Sequence, residues 1–109
     1  MKLILAIVHD RDRHKLSDRL VKEGFRFTQL ASTGGFLREG NTTFMIGVDD
    51  EQVDAALHVV DDCSRTREQF VNLLPPDAGA AGALIANPVS VRVGGAVAFV
   101  LPVDRFEQL

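Results

Sequence analysis

The run Lys2-Leu3-Ile4-Leu5-Ala6-Ile7-Val8 constrains the fold more than any other feature of the chain. It is too short for a stable helix, and apolar side chains occupy both sets of alternate positions. It therefore reads as a strand covered on both faces, and hence a central one. The length of 109 residues is that of a single domain, spanning residues 1–109. A chain of this size buries roughly two thirds of its unfolded surface, enough for a core without covalent staples. Multi-domain enzymes are excluded. Asp10 interrupts the run too early for a secretory leader, and no stretch approaches the roughly 20 apolar residues of a membrane span. The expectation is a cytoplasmic protein with no membrane partner.

Charge narrows the partners further. Twelve Lys plus Arg stand against 15 Asp plus Glu, a formal net charge of −3, so a broad basic surface for polymeric nucleic acid is not expected. A small anionic ligand in a local pocket is compatible with this balance. Cys63 is the only cysteine and can form neither an intrachain disulfide nor a thiolate cluster, which removes disulfide frameworks and Cys-rich zinc sites.

From Asp10 the pattern becomes charged with Leu16, Leu20 and Val21 interposed, the stripe of an amphipathic helix that Gly24 ends. Phe25 to Ala31 reads as a strand with Phe25, Phe27 and Gln29 on one face and Arg26, Thr28 and Leu30 on the other. A short loop, 32–40, leads to a second strand, Asn41 to Val48, with Phe44, Ile46 and Val48 on one face and Thr43, Met45 and Gly47 on the other. Two strands around a glycine-bracketed loop predict a hairpin. Asp49 or Asp50 is the expected N-cap of a helix in which Val53, Ala56, Leu57 and Val60 follow the i, i+3, i+4, i+7 template. That helix ends near Cys63 and Ser64, where Arg65 and Arg67 complement its negative end. Residues from about 72 to 88 hold three of the four prolines and an Ala-Gly tract, and read as a long flexible loop. Val89 to Val93, Gly94-Gly95 and Ala96 to Leu101 then read as a terminal β-hairpin. The result is an α+β ferredoxin-like sandwich, βαββαβ plus an extra terminal strand, with two helices on one face of an antiparallel sheet. The mixed, partly apolar opposite face predicts oligomerisation through the sheet.

Catalytic and metal chemistry find little support. His9, His14 and His58 fall in different elements, and His58 and Cys63 are five apart on a helix, not the three or four that share a face. The acidic runs Asp10-Arg11-Asp12-Arg13 and Asp49-Asp50-Glu51 read as helix starts, where acids are favoured electrostatically. No catalytic residue and no metal ligand is assigned. Thr33-Gly34-Gly35-Phe36-Leu37 lacks the continuation of a P-loop and precedes a strand, unlike a dinucleotide fingerprint. It reads either as a plain hairpin loop or, because Phe36 and Leu37 put two large apolar side chains at an exposed position, as one wall of a site. Arg26 and Thr28, roughly 7 Å apart on one strand face, are either solvated or suited to a phosphodiester. Gly47 either serves packing or lets a flat base approach the backbone.

The stretch Leu30-Ala31-Ser32-Thr33-Gly34-Gly35-Phe36-Leu37-Arg38-Glu39-Gly40-Asn41-Thr42-Thr43-Phe44 closely resembles the signature of the PII-like cyclic di-AMP receptor family. The likeness extends to the opening run, to Arg67-Glu68-Gln69 and to the ending from Val93 to Asp104, and so covers essentially the whole chain. It implies a PII-like homotrimer without catalysis, a signal receptor binding one cyclic di-AMP in each cleft between subunits, with the short and long loops responding to ligand. By position it implies that Arg26 and Thr28 contact the ribose-phosphate ring and that Gly35, Phe36 and Leu37 enclose adenine. Asn41 and the Gly47 backbone would read adenine edges, and Phe99 and Gln108 would complete the pocket. The family commonly has asparagine as a ligand contact where this chain has Gly24, so one side-chain hydrogen bond is missing. A PII-type regulator binding ATP or ADP is the alternative, but its longer first loop and lysine-rich phosphate contacts are not evident. A divalent-cation-tolerance protein shares the trimeric fold and would require a metal site. The downstream protein partner is not legible in the sequence.

Overall fold

A computed structural model describes residues 1–37, 40–71 and 89–109. Its elements in chain order are β1 (Lys2–His9), a 3-10 turn (Asp10–Asp12), α1 (Arg13–Lys22), β2 (Arg26–Ser32), β3 (Asn41–Val48), a 3-10 turn (Asp50–Gln52), α2 (Val53–Ser64), β4 (Arg67–Val71), β5 (Val89–Val93) and β6 (Ala96–Pro102). The expected long loop, 72–88, lies outside the described residues.

Four strands form one antiparallel sheet in the order β2-β3-β1-β6, with β1 between two partners as its sequence demanded. Both helices pack on one face, an arrangement that fits a ferredoxin-like fold. Alternation decides what they cover. Ile4, Ala6 and Val8 of β1 and Phe44, Ile46 and Val48 of β3 point inward and are buried against Leu16 and Leu20 of α1 and Ala56, Val59, Val60 and Cys63 of α2. Val21 follows Leu20 directly in sequence, but the 100° step of the helix carries it off the buried stripe into solvent, where it is 67% exposed. Gly24, at φ +82°, ends α1. The Gly24 amide donates to the Val21 carbonyl and the Phe25 amide to the Leu20 carbonyl, the paired bonds of a Schellman cap. At the other helix Asp49 and Gln52 form a reciprocal capping box.

The C-terminal strands differ from expectation. Ala96–Pro102 does not pair with Val89–Val93 but with β1, from Lys2 opposite Pro102 to Val8 opposite Ala96. β5 pairs instead with β4, so the two added strands form a separate ribbon ahead of the last strand and there is no terminal hairpin. The cause lies at Gly94-Gly95. Both have positive φ, but a Cβ on Gly94 would come within 2.5 Å of the Arg65 carbonyl oxygen, and the Gly95 amide donates to the Ser64 carbonyl. The two glycines carry the chain closely past the end of α2, and the free edge of β1 takes the strand that follows.

Candidate functional site

Among the described residues, the face of the sheet opposite the helices is left open. Register brings Leu3, Leu5 and Ile7 of β1 beside Gly47, Met45 and Thr43 of β3 and beside Leu101, Phe99 and Val97 of β6. Arg26, Thr28 and Leu30 of β2 extend the same face. Leu30, Phe99 and Leu101 are each 40% exposed or more, so the described residues of a single chain cover β1 on one face only, where its sequence called for two.

At one end of this face Arg26, Thr28 and Gly47 line a solvent-open cavity of about 570 Å³ together with Leu3, Phe27, Met45 and Phe106. The pairing of Arg26 with Gly47 puts a guanidinium beside a stretch of strand that has no side chain of its own. A Cβ at Gly47 would meet only the Met1 Cε, at 3.4 Å, so the backbone there is approachable. The cavity thus offers a cation and a hydroxyl beside apolar walls, the donors a phosphodiester requires and the surface a base requires.

At the other end the loop after β2 forms a smaller recess of about 180 Å³, lined by Ser32, Gly34, Phe36, Leu37, Asn41 and Thr43 among others. Polar bonds beneath the loop fix it. The Ser32 hydroxyl donates to the Asn41 Oδ1, it lies 2.9 Å from the Thr43 hydroxyl, and the Asn41 Nδ2 donates to the Leu37 carbonyl at 3.2 Å. Asn41 is buried, so its carboxamide fastens the loop from below. Phe36 is 63% exposed and meets Phe99 edge-on, with ring centroids 5.3 Å apart. The sequence-predicted residues therefore divide into Arg26, Thr28 and Gly47 at one end and Phe36, Leu37, Asn41 and Phe99 at the other. Gly35 is exposed on the loop and Gln108 is exposed on the segment after β6; neither lines either recess. From Arg26 opposite Gly47 to Ser32 opposite Asn41 is six residues of strand, about 20 Å.

A family model for cyclic-di-AMP receptors matches residues 1–109. The chain belongs to that family. The same architecture occurs in the crystal structure of a functionally unknown protein from Pediococcus pentosaceus ATCC 25745, which is 44% identical, with a TM-score of 0.80 over 99% of this chain and 96% of that one. The family is one of receptors, and its ligand is cyclic di-AMP.

Several residues of this receptor-family chain carry charge outside the two recesses. Asp12 is 2% exposed and accepts a hydrogen bond from the Arg67 Nη2 at 2.9 Å, so it is not the simple helix-start acid its position indicated. Asp10 likewise accepts from the Thr42 hydroxyl at 2.8 Å instead of capping. Arg19 donates to Asp62 at 2.7 Å, tying α1 to α2, and that bond is the main reason the Asp62 carboxyl titrates below the ordinary aspartate range. Burial pushes the Cys63 thiol up, away from the thiolate a nucleophile needs. Among the described residues no group of three His, Cys, Asp or Glu side chains is arranged to hold a metal ion, and no helix is long and apolar enough to cross a membrane. Leu3, Met45 and Phe106 were not singled out from sequence. For Leu3 and Met45 the only signal is their place on the open face, and Phe106 stands out only as an aromatic in a polar segment.

Proposed function

We propose that the protein is a cytoplasmic cyclic di-AMP receptor that assembles as a homotrimer and holds one ligand in each cleft between neighbouring copies. The observation that supports this reading is the division of the site: the phosphate-binding residues Arg26 and Thr28 and the loop residues Phe36 and Leu37 stand about 20 Å apart on an open apolar face. A compact dinucleotide reaches both sets only where the loop of one copy meets the β2 edge of another. In that cleft Arg26 and Thr28 hold the ribose-phosphate ring, Gly47 admits a base, and Gly35, Phe36 and Leu37 enclose adenine. Phe99 supports Phe36, and Gln108 closes the cleft from its tail. Asn41 acts through the loop it fastens. The site offers donors and apolar walls but no base aimed at a nucleophile, so the ligand is bound and not turned over.

Calorimetry against cyclic di-AMP, cyclic di-GMP, ATP and divalent metals tests the reading. Cyclic di-AMP should bind at one per chain, more tightly than the others, and be recovered unchanged. Saturation by ATP or cyclic di-GMP with no heat from cyclic di-AMP would refute it.

A further inference from the structure

The segment after β6 brings to the Arg26 cavity a side chain that the sequence pattern does not single out. Phe106 is 61% exposed, yet it lines the same cavity as Arg26, Thr28, Met45 and Gly47. An exposed aromatic standing alone is unremarkable, but one flanking an open apolar cavity that also holds a cation and a side-chain-free strand is half of a stacking site. Its position is supported from both sides. The Val103 amide donates to the Met1 carbonyl at 3.2 Å, continuing the β6–β1 pairing past Pro102. Arg105 and Glu107 pair with one another, the Arg105 Nε donating at 3.0 Å, so the residues either side of Phe106 are engaged together while its ring is left to the cavity.

We propose that Phe106 stacks on a purine of the bound dinucleotide, making the segment after β6 a wall of the receptor site. The inference rests on the cyclic di-AMP reading above and adds to it a residue that holds the ligand by aromatic surface. Aromatic stacking tolerates any base, so Phe106 contributes affinity, while Arg26 and Thr28 select the phosphate.

The chain contains neither Trp nor Tyr, so Phe106→Trp places a single fluorophore in the cavity. Titration with cyclic di-AMP should change its emission saturably, at the same concentrations at which calorimetry records binding. Phe106→Ala should bind about tenfold or more weakly while keeping the melting temperature and light-scattering mass of the unaltered protein. Unchanged affinity in Phe106→Ala, or Trp emission indifferent to saturating ligand, would overturn the stacking role alone. Loss of assembly in Phe106→Ala would overturn it in favour of a contact between copies. No binding by the unaltered protein would overturn the receptor reading and this inference with it.

Discussion

Arg26 stands on the exposed face of β2, so its side chain does little for the fold and its worth lies in what it can bind. A charge-assisted bond from a guanidinium to a phosphate contributes about 1.5–3 kcal/mol. Arg26→Ala should therefore weaken cyclic di-AMP binding about tenfold or more, with the melting temperature of the free protein unchanged. Calorimetry and a thermal melt of the same preparation check both halves. Gly24 offers the opposite experiment. It closes α1 at φ +82°, and a Cβ there would meet nothing within 4 Å, so space is no obstacle to a side chain beside Arg26. Asparagine is the non-glycine residue that best tolerates this conformation. Gly24→Asn should keep its fold and tighten cyclic di-AMP binding by about two- to tenfold, the worth of one neutral hydrogen bond of about 0.5–1.5 kcal/mol. An intact variant that binds no more tightly would show that the cavity has no place for that bond.

At the scale of elements, the ribbon of β4 and β5 is joined to the sandwich at Asp12 and Arg67. Asp12 is buried, and its Oδ2 has no hydrogen-bond partner among the described residues, so the Arg67 bond to Oδ1 is what compensates its charge. The Arg67 side chain is 43% exposed and water can partly replace it, which puts Arg67→Ala near the lower end of the roughly 3–5 kcal/mol expected when one partner of a buried pair is removed. Urea unfolding at fixed protein concentration should show that loss, and adding Asp12→Asn should recover much of it. This joint explains what the sequence concealed. β1 and β3 were legible because alternation or an unbroken apolar run marks them, and α2 because Ala56 and Val60 keep helical spacing. β4 was not, because Arg67-Glu68-Gln69 has no apolar alternation, and its pairing with a strand more than 20 residues later is invisible to local pattern. The same holds for β6, whose true partner is the first strand of the chain. Within the site, Arg26, Thr28 and Phe36 were legible as exposed residues of the right chemistry. Asn41's bonds to Ser32 and Leu37 were not, since they depend on how the loop folds back.

The whole molecule turns on the open sheet face. β1 carries apolar side chains on both sides, but the described residues of one chain bury only one of them, and the other presents Leu3, Leu5 and Ile7, with Leu5 between Met45 and Phe99. In the proposed trimer that face meets its copies, so light scattering should give a mass near three times the 11.9 kDa of one chain. Leu5 is the position that separates assembly from folding. It lies opposite both Met45 and Phe99, on the face away from the helices, so Leu5→Lys leaves the core of Ile4, Phe44 and Leu16 untouched. In a single copy the new ammonium reaches water along its flexible stem. Between copies it would be buried without a partner, at a cost of several kcal/mol in each of three equivalent positions. The variant should keep its far-ultraviolet circular dichroism, fall to the mass of one chain, and lose cyclic di-AMP binding together with the cleft. A Leu5→Lys protein that stays trimeric would place the interface elsewhere, and one that is monomeric yet binds normally would confine the ligand to the Arg26 cavity of a single copy.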